Sequence, residues 1–192
     1  MAESLNHAKA SLRQQIVPQL RRLTAAQVQA DSEQTCERLL GLLVWKRARI
    51  VLLFAPLLNE PDVWPLLNEA IAAGKTVALP AFVPGTSVYI ARQIIEPLRD
   101  LVQGKFGIPE PAPTCPEVPL NRLDLALVPG IAFDVSGGRL GRGKGFYDRL
   151  LPAVNGLKCG VAFDEQIVDA VPVGPMDVRL NCIVTPTRWI ET

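Results

Sequence analysis

The run Gly137-Gly138-Arg139-Leu140-Gly141-Arg142-Gly143-Lys144-Gly145-Phe146-Tyr147-Asp148 sets three cations within six residues and separates them with five glycines. Glycine lets backbone amides approach a ligand closely. A helix predicted to begin near Gly145 would add its positive end. Such a loop suits a polyanion, above all the phosphate chain of a nucleotide. The spacing Gly138-xxxx-Gly143-Lys144 matches the first seven positions of the Walker A pattern. The eighth position is Gly145 rather than Ser or Thr, so the hydroxyl that would hold Mg²⁺ is missing. Asp148 is the nearest carboxylate, and an oxygen ligand is what Mg²⁺ prefers. The bland alternative is a solvated basic turn. Like charges so close repel by up to about a kcal/mol per pair at a surface, and an anion relieves that.

Other chemistries are limited by what the chain lacks. His7 is the only histidine, which nearly excludes a Ser–His–Asp triad or a multi-histidine metal site. The cysteines Cys36, Cys115, Cys159 and Cys182 form no CxxC pair, so zinc and disulfide frameworks have poor support and free buried thiols in a reducing cytoplasm are expected. Twenty Lys and Arg stand against 19 Asp and Glu, for a net charge of +1. That balance argues against a nucleic-acid footprint and makes any anion site local. The segment Met1–Lys9 is polar, with no secretory-type apolar run, and stretches such as Ile50–Phe54 are too short for a bilayer. No nucleic-acid or membrane partner is expected.

Stepping outward, the elements that must hold this loop follow from periodicity. Residues 3–20 read as a helix that Pro18 kinks or ends. Residues 24–45 read as a second helix with Cys36, Leu39, Leu40 and Leu43 on one stripe. Ile50–Phe54 is a buried strand, Pro61 and Asp62 suit a helix start, and Thr76–Leu79 is the next strand. Val88–Ala91 and Leu98–Val102 are candidate short strands, and Gly104–Pro113 is a loop. Leu123–Val128, Leu157–Phe163 and Val178–Val184 complete the strands. With 192 residues and no composition break, the expectation is one α/β domain over 1–192, a three-layer α/β/α sandwich with a mostly parallel sheet.

With these residues in view, the chain resembles the 5-formyltetrahydrofolate cyclo-ligases, also called 5,10-methenyltetrahydrofolate synthetases. The strongest block is Leu127-Val128-Pro129-Gly130-Ile131-Ala132-Phe133-Asp134 followed by Gly138 through Arg149. Supporting it are Lys9-xxx-Arg13, Glu60-Pro61-Asp62 and Phe106-Gly107-Ile108-Pro109-Glu110-Pro111. The resemblance implies a fold similar to ribose-5-phosphate isomerase and the CoA transferases. It implies a cytoplasmic ligase that uses MgATP to phosphorylate the formyl oxygen of 5-formyltetrahydrofolate, after which N10 closes the ring. It also implies roles for residues. Arg139, Arg142 and Lys144 would hold ATP phosphates with the amides of Gly141, Gly143 and Gly145, and Arg142 and Lys144 would neutralise the transferring phosphoryl group. Lys9 and Arg13, at i and i+4 on one helix face, would reach the same phosphates. Phe146 lies in the nucleotide stretch, and Tyr147 would contact nucleotide or folate. Leu57, Glu60, Asp62 and Phe106 would form the folate pocket, the carboxylates by pairing with pterin N–H donors. Outside the family, Glu60 and Asp62 read as ordinary helix-start charge. Asp148 and Asn181 would hold the metal.

The chain departs from the family pattern in places. Met176-Asp177 stands where a His-Asp pair is usual, Asn181 replaces an Asp thought to hold metal, and Ala81 replaces a residue that is often basic. Asp177 could compensate for Asn181. The other classes of reading are a sugar-phosphate isomerase or deaminase-like enzyme and a non-catalytic nucleotide or folate binder. A monomer acting on small molecules alone is expected.

Overall fold

The computed structural model describes every residue except Met1, Pro84, Ser87, Lys105 and Phe106. Its first half holds helix α1 (Ala2–Leu20), α2 (Ala25–Gly41), α3 (Leu43–Arg47), strand β1 (Ile50–Leu52), α4 (Trp64–Ala72), β2 (Thr76–Phe82) and β3 (Tyr89–Ile94). A short helical turn α5 (Pro97–Asp100) leads to β4 (Leu101–Gln103), β5 (Pro109–Pro111) and β6 (Glu117–Val118). The second half holds β7 (Leu125–Val128), β8 (Ala132–Asp134), β9 (Arg139–Leu140), α6 (Phe146–Leu150), β10 (Leu157–Val161), β11 (Ile167–Val168), β12 (Cys182–Val184) and β13 (Trp189–Glu191).

Local chemistry explains where elements start and stop. Thr24 and Gln27 form a reciprocal capping box at the start of α2. The backbone turns extended at Leu42, with ψ of 146°, so the single helix expected over 24–45 is two. Pro18 does not stop α1, which runs on to Leu20. Pro97 starts a helical turn where a strand from Leu98 is expected, as proline does at a first helical position. The helix after the glycine-rich run is only five residues long, so it brings far less dipole than the sequence suggests.

The main sheet has eight strands in the order β13-β12-β10-β7-β1-β2-β3-β6. From β12 to β2 all neighbours are parallel, and antiparallel strands flank them at both ends. Strand side chains alternate between two cores. Val51, Leu125, Leu127, Cys182 and Val184 pack with Leu39, Trp45, Leu66 and Leu67 from α2, α3 and α4. Leu52, Ala126, Val128 and Ile183 pack on the other face with Leu150, Leu151 and Val154 around α6. This period-two split is what places helices on both faces of a parallel sheet. The arrangement is α/β with a large, mostly parallel central sheet, as the sequence leads one to expect. Helix α1 lies apart, burying Ile16 and Leu20 on Ile131, Ala132, Leu140, Phe163 and Val171 beside a small sheet ordered β11-β8-β9. Among the described residues, no helix is long and apolar enough to cross a membrane.

The chain leaves the carboxyl ends of β1, β2 and β7 at the same sheet edge, where open α/β sheets place their ligands. The functional residues gather there.

Candidate active site

The glycine-rich run is shaped by Asp134 at the end of β8. Its Oδ1 accepts from Ser136 N, Ser136 Oγ and Gly138 N, and its Oδ2 accepts from Val171 N. Burial raises the Asp134 pKa, but these donors outweigh it and hold the carboxyl below the usual carboxylate range. The tight turn delivers β9, and with it Arg139, into the interior. The Arg139 side chain is 3% exposed, donates from Nη2 to Asp148 Oδ1 at 2.6 Å and lies 5.6 Å over the Tyr147 ring. Its Nε is the one buried side-chain polar atom among the described residues with no protein partner. A buried N–H without an acceptor is unfavourable, so an anion at this edge would be stabilised by it.

Beyond β9 the loop relies on left-handed backbone at Gly143 and Gly145, with φ of 91° and 64°. Helix α1 holds it from outside. Arg13 donates from Nε to the Gly141 carbonyl oxygen at 2.9 Å. Lys9, one turn earlier, pairs with Asp177 at 2.5 Å, and Asp177 also accepts from Gly174 N. Burial works against ionisation of Asp177, yet the Lys9 ammonium and the Gly174 amide keep its carboxyl below the ordinary value. From the β1 connection, Glu60 is buried and accepts from Arg142 Nε at 3.0 Å and from Leu57 N. Arg142 is half-exposed, at 44%, and Lys144 is exposed. Burial, then the charge of Glu60, pushes the Tyr147 phenol well above its ordinary pKa.

These groups line one cavity of about 640 Å³. Of the residues singled out from sequence, Lys9, Arg13, Leu57, Glu60, Arg139, Gly141, Arg142, Gly143, Lys144, Gly145, Phe146, Tyr147 and Asp148 all face it. Three do not join them. Asp62 is exposed, and its Oδ1 accepts from Trp64 N at 2.9 Å, which is the helix-start role weighed against the folate one. Asn181 precedes β12, so it sits at the opposite sheet edge. Its Oδ1 accepts from Lys158 N, and it borders a separate hollow with Asp124 and Gly156. The metal assignment to Asn181 is therefore corrected, because the length of the sheet separates it from Asp148. Phe106 lies outside the described residues.

The cavity also has a wall that the sequence reading did not assign. Tyr89 at the start of β3 packs edge-on to Phe146, with centroids 4.7 Å apart, and to Phe82 at 5.5 Å. Glu110 in β5 is buried and faces the same space. Burial first, then the nearby Glu110 carboxylate, raises the Tyr89 phenol pKa. The only sequence signal was that Glu110 falls within the Phe106–Pro111 block. Tyr89 stands in a stretch with no motif.

Among the described residues, no cluster of three or more His, Cys, Asp or Glu could hold a metal ion. Asp148 alone from the loop offers a carboxylate, shared with Arg139. That donor set does not form a protein cage. It fits an ion that brings most of its oxygen ligands with it, as Mg²⁺ bound to phosphates does.

Residues 5–186 match the model of the 5-formyltetrahydrofolate cyclo-ligase family. The chain is 36% identical to the Escherichia coli K12 5-formyltetrahydrofolate cyclo-ligase over 175 residues, covering 89% of this chain and 96% of that protein. It is 33% identical to the Mycolicibacterium smegmatis protein of the same name, covering 95% and 96%. The fold is similar to the NMR structure of Aquifex aeolicus 5,10-methenyltetrahydrofolate synthetase, with a TM-score of 0.86, 33% identity and coverage of 95% of this chain and 92% of that one.

Proposed function

Since the chain belongs to the 5-formyltetrahydrofolate cyclo-ligase family, we propose that it converts 5-formyltetrahydrofolate and ATP into 5,10-methenyltetrahydrofolate, ADP and phosphate. One observation carries the reading. The cationic loop borders an open cavity of about 640 Å³ that also holds a buried acid and aromatic walls.

In the first step the formyl oxygen attacks the γ-phosphorus and ADP departs. Phosphoryl transfer depends mainly on positioning and charge stabilisation, and a chain with one histidine is suited to that. Arg139 is fixed and supplies a preset cationic wall. Arg142 and Lys144 are more mobile by exposure and follow the charge that moves to the leaving ADP. In the second step N10 attacks the activated formyl carbon. The C–O bond breaks, phosphate leaves with its electron pair, N10 gives up its proton to solvent, and the methenyl cation remains. Mg²⁺, held by ATP phosphates with Asp148 as a protein ligand, would supply further charge neutralisation.

Tyr147 and Leu57 form walls against the folate in this reading, and Lys9 and Arg13 reach the phosphates from α1. The whole stretch 1–192 acts as one cyclo-ligase domain, a cytoplasmic monomer that takes small molecules and neither nucleic acid nor membrane. The test is direct. Purified protein with MgATP and 5-formyltetrahydrofolate should produce the methenyl absorbance, and absence of product at micromolar enzyme overturns the proposal.

A further inference from the structure

Helix α6 is five residues long and brings little dipole to the glycine-rich loop, so the loop amides need another means of facing an anion. Arg149, near the end of that helix, supplies one. A long helical side chain leans back toward the amino terminus and covers the turn before its own Cα. Arg149 does so across three successive residues. Its Nη2 donates to the Lys144 carbonyl oxygen at 3.1 Å. Its Cζ lies 5.3 Å over the Phe146 ring, which fixes the plane of the guanidinium. A Cβ added at Gly145 would come within 3.0 Å of Arg149 Nη1, so the missing side chain of Gly145 is what lets the guanidinium settle there.

The peptide between Lys144 and Gly145 is trans and planar, so its C=O and its N–H point in opposite directions. With the carbonyl oxygen turned to Arg149, the Gly145 N–H is turned away from it. Lys144, Gly145 and Phe146 line the cavity, while Arg149 stands behind them, outside the lining. The Gly145 amide is thus on the cavity side of the loop. Without a hold, this peptide could flip, because the flip changes the φ of Gly145 and glycine accepts either sign. A flipped peptide would aim a carbonyl oxygen at a bound anion. Arg149 is exposed, so its bond to the loop adds little to global stability. Its effect falls on the orientation of one peptide.

Building on the nucleotide reading above, we propose that Arg149 is a positioning residue for ATP. It holds the Lys144–Gly145 peptide so that the Gly145 N–H donates to a phosphate oxygen, and its own side chain stays outside the cavity.

The test uses the full chain, Arg149→Ala and Arg149→Lys. In Arg149→Ala, KM for ATP should rise at least about fivefold, with KM for 5-formyltetrahydrofolate within twofold of the parent. Lysine keeps the charge but lacks the planar fork, so Arg149→Lys should recover less than half of the rise. Full recovery by lysine would mean that charge alone matters and would overturn the proposal. So would an unchanged ATP KM in Arg149→Ala, or a folate KM that rises with it, which marks general loosening of the site. Amide proton–nitrogen spectra give a readout apart from turnover. Adding a non-hydrolysable ATP analogue to the parent should move the Gly145 resonance strongly, and the shift should shrink by at least half in Arg149→Ala. A parent whose Gly141 and Gly143 amides respond while Gly145 stays put overturns this assignment alone, and that result needs no variant to fold. A parent in which no loop amide responds removes the nucleotide reading itself.

Discussion

Arg13 on the first helix donates a hydrogen bond from Nε to the carbonyl oxygen of Gly141, 128 residues later in the chain. Because the side-chain nitrogen is used on the loop backbone, the remaining guanidinium N–H groups stay available to a phosphate. One residue thus shapes the loop and charges it. Replacing Arg13 by Ala should raise the ATP KM by about tenfold or more, the scale of one lost charge-assisted hydrogen bond. Arg13→Lys should recover only part of this, since an ammonium cannot serve loop and ligand as a fork does. An unchanged ATP KM in both variants would remove Arg13 from the site.

Lys144 is exposed, and among the described residues no carboxylate pairs with its ammonium, so its replacement should spare the fold. Lys144→Ala should lower kcat by roughly 10²-fold if it stabilises the transferring phosphoryl group. The melting temperature should move little. A kcat within twofold of the parent would show that the ammonium is not near the reacting phosphorus.

The Arg142–Glu60 pair joins a half-exposed cation to a buried acid. Arg142→Ala should cost about 1 kcal/mol of stability, mostly from stranding Glu60, and solvent screening keeps the figure small. Denaturant unfolding would measure it. The double variant Arg142→Ala with Glu60→Gln should recover stability, and failure to recover would mean that the stranded charge was not the cause.

Four carboxyls carry depressed pKa values: Asp100, Asp134, Asp164 and Asp177. In each, burial acts the other way and hydrogen-bond donors or a cation prevail. A carboxyl held low in the folded state contributes stability above its unfolded pKa of about 3.9. That contribution is lost as pH falls through the lower folded value. Stability should therefore be flat near neutrality and decline below about pH 4. Asp177→Asn should flatten part of the acid limb in a pH series of denaturant midpoints, and an identical limb would exclude the Lys9 pair as a contributor.

All four cysteines are free and buried. Burial, then the nearby Asp62 charge, pushes the Cys36 thiol up to about 12. Thiols protonated and sheltered in this way react slowly. A chromogenic disulfide reagent should label none of them in native protein and four after denaturation. Fast labelling of the native chain would contradict the packing.

Much of this was legible from residues alone because strong local signals coincide with the fold. The run from Arg139 to Asp148 announces a phosphate site through glycine and charge, and the apolar runs at Ile50, Thr76 and Leu123 announce parallel strands. What a single sequence cannot show is which sheet edge a residue reaches. Asn181 and Asp177 are four positions apart, yet one reaches the cavity and the other supports Lys158 at the far edge. Asp62 followed local chemistry, capping its own helix start. Glu110 was hidden because no spacing rule shows that β5 turns it toward the cavity.

The clasp between helix α1 and the late turn around Asp177 has a temporal meaning. The ribosome makes Lys9 and Arg13 first, but the groups that receive them at Gly141 and Asp177 emerge near the end of synthesis. The amino-terminal helix must wait, its apolar stripe uncovered, until Phe163 and Val171 arrive to bury it. A nascent chain therefore closes this clasp last, and a product truncated before residue 171 would leave that stripe exposed to aggregation.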